Sequence, residues 1–433
     1  MVYFMKLLGQ VKDRCRFIST HVPNDEYISA NSYKDNYIGL ATQALIALFI
    51  FLIPFPHTTA IRNICIYLSF LLFALNVVRH KTRICINTPL LVPFLLFLCW
   101  GIISTVLSNY KLDSSHDLYA HLIFYIVYYY ILINTFTEKI HVIILACIIL
   151  LSGTIFSSGA LLHFYYYLGH SIQIRLGQGL GLLYAINVIG YLLVMAAIFS
   201  IRMSIDIKKP FYRYAFILAG IIAGYASILT YSRGTYLAFM AALGILLIRR
   251  KKLLVSGIGI LLIAVIFIVP SVGDKFVNGV FEDRLVAYFY SLEFIKEHPI
   301  IGSGFSIDMY GTENFSHVEE YRPKIPQRYR SVPYLWPPHN MLLSVAVRLG
   351  LIGLMLFTFI LFKSVSMCLN LARYGKNEFT LNWALCLLSA LMVILVKGLF
   401  EPMFTHFVDT LFYTVLAMIT ILWNLNYSQG QES

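Results

Sequence analysis

A histidine, a glutamate and a few arginines are the residues of this chain whose types and neighbours point to chemistry. His339 follows Trp336-Pro337-Pro338 and opens a long apolar stretch. Two prolines ahead of a helix fix the direction in which the chain enters it, so the imidazole is expected at the boundary between apolar and aqueous surroundings. A neutral imidazole accepts a proton near pH 7, as a general base must; a helix cap or an interfacial polar residue is the plainer alternative. Arg233 sits in the run Thr230-Tyr231-Ser232-Arg233-Gly234-Thr235, which separates two apolar stretches. Ser232 is placed to cap the second of them, and the amides at a helix start attract anions. A guanidinium at that point matches phosphate oxygens in pairs. The alternative is an interfacial arginine that holds two helix ends together. Arg175 and Arg284 stand in other connecting segments, each readable as a surface charge or as a further anion ligand. Glu401, just ahead of Pro402, suits orienting a histidine or binding a sugar hydroxyl.

Arg348 lies nine residues after His339, about 180° around a regular helix, so the two are not expected to serve one site directly. A charge within an apolar span costs about 2.5–3.5 kcal/mol unless paired or hydrated, so Arg348 is expected to face a polar cavity. Ala346, Gly350 and Gly353 are expected to form a small-residue face that admits a neighbouring helix. Sets of His, Asp and Glu at metal-ligand spacing, glycine-rich phosphate loops and G-x-S-x-G turns do not occur. Hydrolase chemistry and a bound metal or other cofactor are therefore not expected.

The elements that must position these residues belong to a membrane. Apolar residues make up 59% of the 433 positions and charged residues 12%, which excludes an ordinary soluble protein. Apolar runs of about 20 residues match the hydrocarbon thickness of a bilayer, and in lipid such runs must be helices to satisfy their backbone. About twelve spans are expected, centred on Ala47, Leu68, Leu96, Ile126, Ser152, Leu192, Leu218, Ala241, Leu261, Leu354, Ala390 and Val415. The fold class is an all-α membrane protein with one large, partly helical loop. With the N-terminus inside, the short inner loops hold fifteen Lys and Arg, and the short outer loops hold five: Arg62, Lys111, Arg175, Arg233 and Lys397. The positive-inside rule then places both termini in the cytoplasm. The net charge of +12 reflects that rule and not a nucleic-acid site, and the Arg249–Lys252 run reads as a topology anchor. The expected parts are a cytoplasmic tail (1–37), nine spans (38–270), an outward loop (271–338), three spans (339–426) and a tail (427–433). The N-terminal tail does not read as a removable signal. The outward loop holds no cysteine, so no disulfide framework is expected.

The loop has its own pattern. From Glu282 to Glu297, apolar residues recur at Leu285, Tyr288, Phe289, Leu292 and Ile295, the spacing of an amphipathic helix. His298-Pro299 ends it, and Gly302 and Gly304 continue as turn. Tyr321 to Pro338 reads as irregular backbone. The loop carries nine acids against seven bases, with its positive charge gathered in Arg322, Lys324, Arg328 and Arg330. That cluster is either solvated and headgroup-facing or a binder of lipid-linked phosphates. The loop is expected to act as a lid over a cavity at the membrane face.

Three segments, taken together, resemble the O-antigen ligase superfamily. They are Thr230 to Leu237, then Asp283-Arg284-Leu285 with His298-Pro299-Ile300-Ile301-Gly302-Ser303-Gly304-Phe305, and His339-Asn340 followed at nine residues by Gly350-Leu351-Ile352-Gly353. The resemblance implies a glycosyltransferase of lipopolysaccharide assembly in the bacterial inner membrane, with its active site facing the periplasm. Its donor would be a glycan on undecaprenyl pyrophosphate, its acceptor a sugar hydroxyl of the lipid A–core oligosaccharide, and its other partners membrane lipids. It implies His339 as base, Arg233 and Arg284 as pyrophosphate ligands, and Glu401 as the match to an acidic residue at the outer end of the penultimate span. Pyrophosphate leaves without protonation, so guanidinium groups and one base suffice for a metal-independent displacement with inversion, without the paired carboxylates of glycoside hydrolases. Other readings are an O-antigen or exopolysaccharide polymerase, a protein O-glycosyltransferase, and a transporter of lipid-linked sugars. A transporter would be expected to show repeat symmetry and polar residues at midplane.

Overall fold

The computed structural model describes residues 37–80, 84–177, 186–268, 280–306, 320–331 and 338–427. The tail expected before Tyr37, the residues after Tyr427, Trp336-Pro337 and much of the loop's remainder lie outside the described residues. In chain order the helices are α1 (Tyr37–Leu52), α2 (Thr59–His80), α3 (Leu91–Leu107), α4 (Lys111–Thr135), α5 (Lys139–Tyr167) and α6 (Ile186–Asp206). Then come α7 (Pro210–Leu229), α8 (Arg233–Leu246), α9 (Lys251–Ile268), α10 (Val280–Glu297), α11 (Met341–Tyr374), α12 (Glu378–Gly398) and α13 (His406–Tyr427).

Each expected span centre falls inside one of these helices. Eight of them (α2, α4 to α7 and α11 to α13) are long and apolar enough to cross a membrane, while α1, α3 and α8 are shorter apolar helices. The protein is therefore all-α and multi-pass. Burial separates the helices into two kinds. In α13 and α6, 83% and 78% of the apolar window is covered by protein, against 22% in α2 and 33% in α7. The first pair forms the centre of the bundle, and the second presents leucines and tyrosines outward, where lipid is the solvent. The termini of the elements follow local rules: Pro210 opens α7 at the first helical position, and the Asn377 side chain caps α12 by accepting from the Thr380 amide (2.9 Å).

The loop helix forms where the apolar spacing places it, as α10. Beyond it the chain turns through Gly302 (φ 73°) and Gly304 (φ 102°). Tyr321 to Tyr329 is irregular apart from two single turns, and packs Tyr321, Ile325 and Tyr329 against Val286, Ala287 and Tyr290 of α10. Ala346 and Val347 of α11 close the same small core, so α10 lies on the first turns of α11.

The expected small-residue face on α11 takes a different form. Gly350 is a break in the helix, with φ 67° and ψ −173°. That conformation disfavours any side chain, and a Cβ at Gly350 would overlap the Ile300 carbonyl. The neighbour that approaches is a strap of loop, not a helix. A break within a membrane helix strands backbone polar groups, and the strap takes them up. The Leu351 amide donates to the Pro299 carbonyl (2.7 Å), the Ser303 amide to that of Val347 (3.0 Å) and the Gly304 amide to that of Arg348 (2.9 Å). From α3, Trp100 Nε1 donates to the Leu349 carbonyl (2.8 Å) and Ser104 Oγ to that of Ile301 (2.9 Å). The His298–Phe305 segment and the Gly350 segment are thus two halves of one junction.

Candidate active site

His339 stands one residue outside α11. The cap is Asn340, whose side-chain oxygen accepts from the Leu342 (2.9 Å) and Leu343 (3.1 Å) amides. This leaves the imidazole without a capping duty. Asn340 Nδ2 donates to the Leu399 carbonyl (3.3 Å), and the Tyr288 hydroxyl of α10 reaches the carbonyls of His339 (3.3 Å) and Leu399 (3.4 Å). Those bonds tie the His339 backbone to the turn that follows α12, two residues ahead of Glu401. As a result His339 Nδ1 lies 3.7 Å from Glu401 Oε2, with the imidazole side chain 34% exposed and the carboxylate side chain 4% exposed. The separation is that of an ion pair, longer than a hydrogen bond. A carboxylate at that distance is close enough to orient the ring.

The arginines arrive from three other directions. The α7–α8 turn carries Tyr231 with a left-handed backbone (φ 48°) and places Ser232 at the N-cap of α8, where its side chain makes no capping bond. Arg233 is the first residue of α8 and is half-buried. Beside it Gly234 lies flat against the Phe400 ring, and the Arg284 guanidinium of α10 sits over the same ring, 6.0 Å from its centre. Phe400 is therefore a platform shared by the Arg233 turn and Arg284, one residue from Glu401. Arg175 comes from the 171–177 segment, which the Leu176 amide anchors to the Leu229 carbonyl (3.0 Å) and the Tyr231 hydroxyl anchors through the Ile172 carbonyl. Burial pulls the Arg175 guanidinium below its ordinary proton affinity, Glu401 opposes this, and Arg284 adds to it. Arg175, Arg284 and Glu401 thus feel one another's charge.

His339, Glu401, Arg175, Arg284 and the Arg233 turn are gathered at one end of the bundle, under α10. The remaining candidates lie elsewhere. Arg348 is 1% exposed and donates from Nη1 to the Phe305 carbonyl (3.1 Å). Its guanidinium is 5.0 Å from the centre of the Phe404 ring and within electrostatic reach of Asp409. An enclosed aromatic and carbonyl environment thus takes the place of the expected polar cavity. Arg322 donates to the Arg330 carbonyl (2.7 Å), and Arg328 covers the Tyr329 ring at 4.4 Å. Both belong to the irregular segment that packs on α10. Lys324 and the Tyr321 hydroxyl bond the Glu297 carboxylate, which holds it below the usual glutamate range.

Sequence reasoning missed Lys397. Counted among the charges of an outer loop, it lies inside α12, is 0% exposed, and donates to Thr235 Oγ1 (3.1 Å). The signal available was its position four residues ahead of Glu401, the spacing of one helical turn. Tyr288 and Phe400 carried no sequence signal, since an aromatic residue in a loop helix reads as packing.

The comparisons with known proteins agree with this geometry. The O-antigen ligase family matches residues 218–358, from α7 to the middle of α11. No curated protein matches the chain. The matched stretch holds Arg233, Arg284, the strap, His339 and the Gly350 break, while Arg175, Glu401 and Trp100 lie outside it. Residues 218–358 are thus similar to the O-antigen ligase family.

Proposed function

We propose that this protein transfers a glycan en bloc from undecaprenyl pyrophosphate to a sugar hydroxyl of the lipid A–core oligosaccharide, at the periplasmic face of the bacterial inner membrane. The observation that carries the reading is the His339–Glu401 pair set beside Arg175, Arg284 and the Arg233 turn. His339 takes the proton of the acceptor hydroxyl, and Glu401 balances the imidazolium that forms. The hydroxyl oxygen bonds to the anomeric carbon as the bond from that carbon to the phosphate oxygen breaks. The leaving polyprenyl pyrophosphate keeps the electron pair, and the guanidinium groups neutralise it as its charge grows, which is preorganised electrostatic stabilisation. A single displacement of this kind inverts the anomeric carbon.

The test is a transfer assay with purified protein, undecaprenyl-pyrophosphate glycan and lipid A–core, run with and without chelator. Transfer that survives chelation, yields the inverted linkage and disappears in His339→Ala at normal protein level is the expected result. Lengthening of the lipid-linked glycan without lipid A–core would assign the chain to polymerisation instead. Full activity of His339→Ala would remove the base assignment.

A further inference from the structure

The α4–α13 interface holds a set of ionisable side chains that the proposed mechanism leaves unused. Asp409, in the first turn of α13, has no exposed surface, and its Oδ2 lies 2.7 Å from His121 Nδ1 of α4. A carboxylate inside an apolar bundle is costly unless paired, and such residues mark functional sites. His121 belongs to a π-helical turn of α4, Leu118–Ile123, a distortion that recurs at functional sites. His406, the first residue of α13, is exposed, and its ring stacks on that of His121 with centres 4.6 Å apart. Its Nδ1 lies 3.3 Å from the Tyr125 hydroxyl, which also bonds the His406 carbonyl (3.0 Å). Both rings therefore have Nδ1 engaged within the bundle. A carboxylate accepts hydrogen bonds, so His121 directs its Nδ1 proton at Asp409 and leaves Nε2 for a ligand; His406 likewise keeps Nε2. A tie between two helices needs only the Asp409–His121 bond, and the exposed ring of His406 goes beyond it. Two stacked rings with adjacent nitrogens suit neighbouring hydroxyls of a sugar, each of which can donate or accept.

The pair has a fixed relation to the proposed donor site. Between α12 and α13, one turn carries Phe400, the platform of Arg284 and the Arg233 turn, then Glu401, which faces His339, and then leads into His406. α12 packs on α8, which carries Arg233, and α13 packs on α4, which carries His121. The turn thus runs from the arginines, past the proposed base, to the histidine pair. In a displacement with inversion, the attacking hydroxyl enters on the face away from the leaving group. An acceptor held at His339 therefore extends away from the guanidinium groups. We infer that His121 and His406, with Asp409 orienting His121, form a subsite for sugar hydroxyls of the acceptor oligosaccharide, beyond the hydroxyl that reacts. This rests on the glycosyl-transfer reading above.

The experiment compares wild type, His406→Ala and His121→Gln in nanodiscs. Acceptor KM, donor KM and kcat are measured in the transfer assay, and binding of the delipidated core oligosaccharide is measured without donor. His406→Ala, which removes an exposed ring, is expected to raise acceptor KM and the oligosaccharide Kd by about 3- to 10-fold, the range of one lost hydrogen bond. Donor KM and kcat at saturating acceptor should stay within about 2-fold. His121→Gln is expected to behave in the same way. If the cluster were only a tie between helices, His121→Gln would lower the unfolding temperature while acceptor KM and Kd stayed unchanged in both variants, and that result overturns the inference. Should His121→Gln fail to accumulate, His406→Ala decides alone, and unchanged acceptor KM and Kd overturn it again. A wild type that binds the oligosaccharide more tightly than His406→Ala but transfers nothing would instead dismiss the glycosyl-transfer reading and keep the sugar subsite, which separates the two failures.

Discussion

Replacing Glu401 by glutamine keeps the size of the side chain and removes the charge that faces His339. The two groups are 3.7 Å apart. Unit charges at that distance attract by about 4.5 kcal/mol at the effective dielectric of a protein surface and by about 1.1 kcal/mol in bulk water. With the imidazole side chain 34% exposed, a value between these limits applies, about 2 kcal/mol, equivalent to about 30-fold. The attraction is fully expressed only once the proton has moved to His339, so its loss falls on kcat and not on donor KM. His339→Ala removes the base itself, expected to cost about 10²–10⁴-fold. Because Glu401 acts through His339, the double variant His339→Ala/Glu401→Gln should be no slower than His339→Ala alone. The assay is formation of polymer-bearing lipid A–core by protein in lipid nanodiscs, followed over time. Additive losses in the double variant would show that Glu401 does not work through His339.

Three further outcomes follow from other parts of the molecule. Arg284→Lys should regain little of the transfer lost in Arg284→Ala, because an ammonium does not reproduce the planar fork that binds phosphate oxygens in pairs; donor KM is the readout, and full rescue by lysine would show that a point charge suffices. Gly350→Ala forces a side chain into a left-handed position, at about 1–2 kcal/mol, and against the Ile300 carbonyl, so the purified variant should unfold at lower temperature than wild type; an unchanged unfolding temperature would contradict the strap-and-break junction. Glu297 is held below the usual glutamate range by Lys324 and Tyr321, so its bonds add stability above that range and lose it as pH falls through the depressed value. Hydrogen exchange of residues 320–331 should therefore quicken below about pH 4 in wild type and show no such step in Glu297→Gln.

The helices were legible because long apolar runs must be helical in lipid, and every expected centre falls in a helix, eight of which are long and apolar enough to cross a membrane. The loop helix was legible for a similar reason, since Leu285, Tyr288, Phe289, Leu292 and Ile295 mark one face. Gly350 was not. A glycine in an apolar run reads as a packing surface, and its role as a break depends on hydrogen bonds from a segment about 50 residues earlier. The misreading of Lys397 has the same origin. A lysine near a helix end counts toward topology, and only the packing of α6, α8 and α12 encloses it. Arg348 shows the limit from the other side. Its separation from His339 was readable from helical geometry, but not its partners Phe305 and Phe404, which come from the strap and the turn before α13.

The break at Gly350 also bears on how the proposed base, His339, is held. An unbroken helix of 34 residues would carry His339 wherever the whole span moved. Divided at Gly350, the first nine residues of α11 form a short piece with its own supports. The strap holds its C-terminal end through the Val347 and Arg348 carbonyls, and Trp100 holds the Leu349 carbonyl. Asn340 and Tyr288 hold its N-terminal end to Leu399. Both ends are thus fixed by the loop, by α3 and by the turn that carries Glu401. The lower part of the span contributes little to the position of the imidazole. The described part of the loop is thus part of the site's frame: α10 brings Arg284, and the strap that follows α10 sets the register of His339, the proposed base.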